Sequence, residues 1–285
     1  MFGFLNVYKP KGKTSHDVVA ILRRIIGIKQ IGHTGTLDPF AEGVLPICIG
    51  KATRLIEYLN DDKAYIGTVQ LGNSTTTYDI EGEGVNFSSK KVTREELEKV
   101  LEKFKGEIEQ LPPIYSAIKV KGKKLYEYAR EGKEVKIEPR RVYIFHLEVL
   151  NFDEEKQAAE LYIECSKGTY IRSIANDLGE ALETYGHLIK LVRVKAGKFL
   201  VKTSKKLEDL DSIDKVEAGL INPEKYLDYP KYKLNENEYK KVLHGNPINI
   251  DLSGTVILIH NDKIAAIGEA ENNIFQCKKV FAQEF

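Results

Sequence analysis

One carboxylate in this chain sits where chemistry could use it. Asp38 lies in Gly32-His33-Thr34-Gly35-Thr36-Leu37-Asp38-Pro39, a short polar stretch broken by two glycines. The apolar run Val44-Leu45-Pro46-Ile47-Cys48-Ile49 follows it and predicts a buried strand. An aspartate between Leu37 and Pro39 has its backbone pre-set, because the residue before a proline is pushed towards extended conformations. Gly32 and Gly35 leave room for a ligand to approach the main chain. A fixed, accessible carboxylate beside a packed strand suits nucleophilic or general-base chemistry. Taken alone, the same Asp-Pro would be an Asx turn entering the strand. The case for chemistry therefore depends on what the rest of the chain supplies.

Several elements must position that segment. Residues 4–8 form a strand candidate. Thr14 or Ser15 can cap a helix whose Val18, Val19, Leu22, Ile25 and Ile26 recur at helical spacing. Residues 63–71 alternate as a strand. Thr93 and Glu96 make a capping box for a helix burying Leu97, Val100, Leu101 and Phe104, with Gly106 as its stop. Residues 142–150 and 158–165 read as antiparallel strands. A turn at 166–169 follows, then a helix marked by Ile171, Ile174, Ala175, Leu178 and Leu182. Strands and helices mix without strict alternation, so the class expected is α+β, not a doubly wound fold.

The chain has 285 residues, 30% charged and 42% hydrophobic, enough for one large domain and a small one. No apolar stretch approaches a membrane span and no signal-peptide pattern opens the chain. Cys48, Cys165 and Cys277 are odd in number, far apart and without metal-ligand spacing, as expected of reduced thiols in the cytoplasm. No P-loop, dinucleotide fingerprint or His/Cys metal cluster is present, so no cofactor is expected. Net charge is only +1, but its distribution is uneven. Residues 1–33 and 119–141 together hold +10, and everything else sums to −9. Such a basic footprint on an acidic body suits a phosphate backbone.

The Asp38 run resembles the signature of the tRNA pseudouridine-55 synthases, the TruB family. Tyr8-Lys9-Pro10-Lys11-Gly12-Lys13-Thr14-Ser15-His16 is similar to that family's opening block, and Asp62-Lys63-Ala64-Tyr65 to its tyrosine motif. The GNSTTTYDIEG stretch at 72–82 resembles its threonine-aspartate segment. Leu111-Pro112-Pro113-Ile114-Tyr115-Ser116-Ala117 and Lys124-Leu125-Tyr126-Glu127-Tyr128-Ala129-Arg130 resemble its RNA-binding insertion. Ser166-Lys167-Gly168-Thr169-Tyr170-Ile171-Arg172 resembles its arginine motif. The blocks come in family order.

The resemblance implies an isomerase that flips a uridine out of the tRNA T-loop, detaches the base and rejoins it through carbon. It makes Asp38 the catalytic carboxylate, attacking either the sugar or the base. Arg172 becomes its ionic partner, expected to favour the charged carboxylate. Tyr65 becomes the platform stacked on the uracil, and it could also take the C5 proton. His33 is implied as an RNA contact, and Tyr170 either borders the uracil pocket or packs in the core. Lys9 and Pro10 support the active-site loop. Lys121, Lys123, Lys124 and Arg130 are implied contacts of a thumb, residues 112–141, that clasps the T-arm stem-loop. Arg193 is expected to contact RNA too, although the family often has two arginines where this chain reads Val192-Arg193.

The fold implied is a pseudouridine-synthase core, a mixed or antiparallel sheet flanked by helices, over residues 1–228. A polar linker at 205–214 leads towards a small strand-rich piece, residues 229–285, whose place and length resemble a PUA-type RNA-binding domain. Within it, residues 255–260 and 263–270 flank Asn261-Asp262, a two-residue hairpin turn. No obligate protein partner is implied. A guide-RNA-dependent enzyme is disfavoured by the thumb, and a pure RNA-binding module by the set Asp38, Tyr65 and Arg172.

Overall fold

The computed structural model describes residues 1–133 and 135–281. Strand β1 (Gly3–Lys9) leads into helix α1 (Ser15–Ile26), and β2 (Ile31–His33) pairs back onto β3 (Glu42–Ile49). Strand β4 (Lys63–Leu71) precedes a small hairpin, β5 (Asn73–Thr75) with β6 (Gly84–Phe87), and then α2 (Arg94–Leu101). After β7 (Gly106–Gln110) comes the basic insertion, with hairpin strands β8 (Lys119–Val120) and β9 (Lys123–Lys124) and the short helix α3 (Leu125–Arg130). Strands β10 (Arg140–Asp153) and β11 (Ala158–Cys165) are followed by α4 (Ile171–Ala181) and β12 (Gly186–Ala196). The short strands β13 (Phe199–Leu200) and β14 (Lys205–Lys206) and helix α5 (Ile213–Ala218) end this part.

Ten of these strands make one mixed sheet in the order β14-β1-β3-β12-β4-β11-β10-β7, with β2 on β3 and β13 on β12. The β1–β14 and β3–β12 contacts are parallel and the remaining neighbours antiparallel. This is the α+β class that the pattern predicts. The stretch expected as a linker, 205–214, instead supplies the edge strand β14.

Local chemistry explains the helix starts. Thr14 caps α1 and Thr93 caps α2, each in a reciprocal capping box with Asp17 and Glu96. Ser15, the other cap candidate, is the first helical residue instead. Helix α2 ends at Leu101 and tightens into one 3-10 turn, Glu102–Phe104, so Gly106 (φ 82°) opens β7 and is not a helix cap. The alternation along β4 turns Tyr65, Val69 and Leu71 to one face, where Leu97, Leu101, Ile171, Ile174 and Leu178 of α2 and α4 cover them. Helix α1 packs Val18, Val19, Leu22 and Ile26 against β1 and β3.

Beyond residue 230 a second sheet forms from β15 (Lys231–Lys233), β16 (Ile248–Asn249), β17 (Gly254–His260), β18 (Lys263–Glu271) and β19 (Ile274–Val280), with α6 (Glu236–Leu243) against it. The β17–β18 turn has Asn261 and Asp262 at positive φ, as a type I′ hairpin requires. This sheet packs onto the main body through Ile257, Ile264, Ile267 and Phe281, which meet Phe4, Val44 and Cys48. No helix among the described residues is long and apolar enough to cross a membrane.

Candidate active site

Asp38 sits in the loop between β2 and β3, which is fastened at both ends. The Leu37 amide donates to Ser15 Oγ (2.9 Å), and the Gly12 amide to the Pro39 carbonyl (2.8 Å). Lys9 is fully buried, and its ammonium donates to the carbonyls of Lys13 (2.5 Å), Pro10 (3.0 Å) and Pro39 (3.4 Å). Burial pushes the Lys9 pKa down to about 8, an effect that Asp38 opposes. The Asp-Pro pair is thus clamped from α1 and β1, as the extended conformation before a proline permits.

Arg172, in the first turn of α4, meets Asp38 as a fork, with Nε 3.0 Å from Oδ2 and Nη2 3.2 Å from Oδ1. Such bidentate pairing fixes the plane of the carboxylate as well as its charge. The guanidinium also donates to the carbonyls of Tyr115 (3.0 Å) and Thr77 (3.3 Å), and Nη1 lies 3.5 Å from Asp79 Oδ2. Asp79 is almost fully buried; its Oδ1 accepts from Thr77 Oγ1 (2.6 Å) and the Glu81 amide (3.0 Å). One cation therefore serves two carboxylates. Burial raises the Asp38 pKa, Arg172 opposes the rise and Asp79 adds to it. Arg172 does favour the charged carboxylate, as expected, but the net shift of Asp38 is upward. Desolvation on the pocket floor outweighs one shared guanidinium.

Tyr65 projects from β4 with 6% exposure and its ring forms part of the pocket wall. Burial lifts its hydroxyl to a pKa of about 12, against an opposing pull from Arg193. The cavity above Asp38 measures about 600 Å³, the size of a small-molecule site. Leu37, Tyr170, Leu191 and Arg172 line it, and the thumb reaches it through Tyr126 and Arg130. Tyr170 thus borders the pocket, its backbone held by both ends of the Gln110 amide. Within the thumb, Arg130 and Lys124 each lie over the Tyr126 ring at 5.4 Å, and Lys123 over Tyr128 at 5.0 Å. Lys121 is exposed at the hairpin tip, and Lys123 also pairs with Glu131. His33 is half-buried beside this loop, and its Nδ1 is buried without a hydrogen-bond partner.

Arg193 departs from its expected place. It is fully buried in β12 and donates to the carbonyls of Val44 (2.7 Å), Gly35 (3.1 Å) and Thr36 (3.4 Å). A phosphate cannot reach a side chain enclosed in this way, so it is no RNA contact. Gly43 (φ 108°) is forced where β3 crosses β12, because a Cβ there would stand 2.3 Å from the Arg193 carbonyl oxygen. Asp79 is the residue that sequence reasoning passed over. Its signal was the Thr-Asp segment at 72–82, which gave no hint of which cation it would meet.

A mixed sheet carrying this pocket is the pseudouridine-synthase architecture. A Cbf5-Nop10-Gar1 complex matches 98% of this chain with a TM-score of 0.74 at 26% identity, covering 84% of that chain. An archaeal box H/ACA sRNP Nop10-Cbf5 complex gives 0.72 at 24% identity over 98% of this chain and 85% of that one, a likeness of fold alone. The model of the TruB family pseudouridylate synthase N-terminal domain matches residues 23–171, and the chain belongs to that family. Relatives named tRNA pseudouridine synthase B run end to end with it. Those of Caldanaerobacter subterraneus subsp. tengcongensis and Carboxydothermus hydrogenoformans are each 43% identical, over 98% and 99% of this chain and 99% of their own lengths.

Proposed function

We propose that this pseudouridine synthase isomerises the T-loop uridine at position 55 of tRNA, with Asp38 as the reacting carboxylate. The observation that carries the reading is the Asp38–Arg172 fork on the floor of a pocket walled by Tyr65. Its position under an extruded base explains why a carboxylate, a cation and an aromatic ring converge there. The end-to-end relatives, named for tRNA, support the substrate.

Arg172 holds the Asp38 carboxylate ionised and aimed while burial works against it. Tyr65 stacks on the uracil, and its oxygen accepts the C5 proton after the base has turned. The thumb at 112–141 clasps the T-arm through Lys121, Lys123, Lys124 and Arg130, with His33 as a further RNA contact at the loop. Residues 1–228 form the catalytic domain and residues 229–285 a PUA-like RNA-binding domain. The enzyme acts alone in the cytoplasm, since the thumb supplies the recognition that a guide RNA would otherwise provide.

Asp38→Asn tests the assignment. The change removes the charge at almost constant volume, and tRNA affinity rests mainly on phosphate contacts. Chemical mapping should find no pseudouridine at position 55, with tRNA affinity within about tenfold of wild type. Isomerisation at the wild-type rate would refute it.

A further inference from the structure

Arg193 presents an electrostatic problem. A fully buried guanidinium is costly unless it is paired. Yet its partners are the carbonyls of Val44, Gly35 and Thr36, and no carboxylate pairs with it among the described residues. The Tyr65 side chain lies within reach of its charge, which pulls the Tyr65 hydroxyl pKa down against burial. The register requires that meeting, because Arg193 on β12 stands directly opposite Tyr65 on β4 in an antiparallel pair, and cross-strand partners share a face. Thr36 and Gly35, whose carbonyls accept from Nη1 and Nη2, belong to the loop that carries Asp38. One side chain therefore links the Asp38 loop to the strand position opposite Tyr65.

We propose that Arg193 is a positioning residue whose charge is the resident counter-ion of the Tyr65 oxygen, fixing that oxygen at the pocket wall and holding negative charge on it during proton transfer. This deepens the proposed function and rests on Tyr65 being the proton acceptor. In the step itself the Tyr65 phenol first gives its proton to water; the C5–H bond of the reattached uracil then breaks and its proton passes to the tyrosine oxygen, which becomes phenol again. The bonding pair forms the C5–C6 double bond, the C6–N1 double-bond pair moves onto N1, N1 takes a proton from water, and Arg193 keeps all its protons. Besides Arg193, Cys165 on β11 and Asp38 on the loop act on the Tyr65 hydroxyl. Lys63, Arg130 and Arg172 line the same pocket, and Arg193 is the cation that stands opposite Tyr65 in the strand register.

The test is a cycle of single-turnover rates on tRNA for Tyr65→Phe, Arg193→Met, Arg193→Lys and the Phe/Met double variant, with tRNA affinity and thermal midpoint measured for each. Arg193→Met should slow isomerisation at least 100-fold with affinity within about threefold of wild type. Arg193→Lys, which keeps the charge, should recover at least tenfold of that loss. The double variant should be no slower than Tyr65→Phe, because Arg193 acts through the hydroxyl that Phe lacks. Multiplying losses in the double variant would overturn the proposal, as would an Arg193→Lys rate no better than that of Arg193→Met. If Arg193→Met fails to fold, Arg193→Lys takes its place in the cycle, with the same criterion of no added loss on Tyr65→Phe. A fully active Tyr65→Phe would instead refute the proton-acceptor reading on which the proposal rests.

Discussion

Replacing Arg172 by Met removes the cation shared by Asp38 and Asp79, and the geometry sets the size of the effect. Opposite unit charges attract by about 4 kcal/mol at roughly 4 Å and an effective dielectric of about 20. Asp38 keeps 33% of its side-chain surface open to the pocket, so we discount this to about 3 kcal/mol for screening. At about 1.4 kcal/mol per tenfold, the single-turnover rate at neutral pH should fall about 100-fold. The pH profile gives the sign. Burial and Asp79 already raise the Asp38 pKa, and Arg172 and Lys9 lower it. Without Arg172 the carboxylate ionises at higher pH, so the acid limb of the rate profile should move upward. Arg172→Lys should be intermediate, since it keeps the charge but loses the fork. Pseudouridine formation in saturating enzyme, followed by base mapping across pH, reads both effects. The reasoning fails if Arg172→Met folds with an unchanged thermal midpoint and stays within tenfold of wild type on an unshifted profile.

Tyr65→Phe should keep the stacked uracil but lose most activity, while Tyr65→Leu should lose stacking as well, about 1–3 kcal/mol of it; equal rates for Phe and wild type would confine Tyr65 to a platform. Neutralising Lys121, Lys123 and Lys124 together should lower the log–log salt slope of tRNA binding by about 0.7–0.9 for each phosphate left without its lysine. Lys123 already pairs with Glu131, so its share should be the smallest, and an unchanged slope would refute the thumb reading. Lys9 has a folded pKa of about 8 against its ordinary 10.5. Between those values the unfolded chain binds the proton and the folded one does not, so unfolding free energy should rise with pH across that window. Below about 8 both states hold the proton and the rise is absent. The thermal midpoint of wild type should therefore climb from pH 8 to pH 10 relative to Lys9→Met, and parallel curves would contradict the assignment.

The sequence by itself determined what depends on near neighbours. The capping boxes at Thr14 and Thr93, the alternation of β4, the β17–β18 turn and the α4 stripe all obey rules that act within a few residues. The motif blocks placed Asp38, Tyr65, Tyr170 and Arg172, which the fold gathers around one pocket. Three decisions were reserved for tertiary structure. Arg172 and Asp38 are 134 residues apart, and Asp79 joins them through a hairpin whose direction no local pattern specifies. The pKa of Asp38 rises because the sheet and α4 together desolvate it, and desolvation belongs to a packed volume, not to a residue type. The family resemblance put Arg193 at an RNA contact, but pairing β12 between β3 and β4 encloses it. Which face of a strand is buried follows from its neighbours in the sheet, and these come from distant parts of the chain.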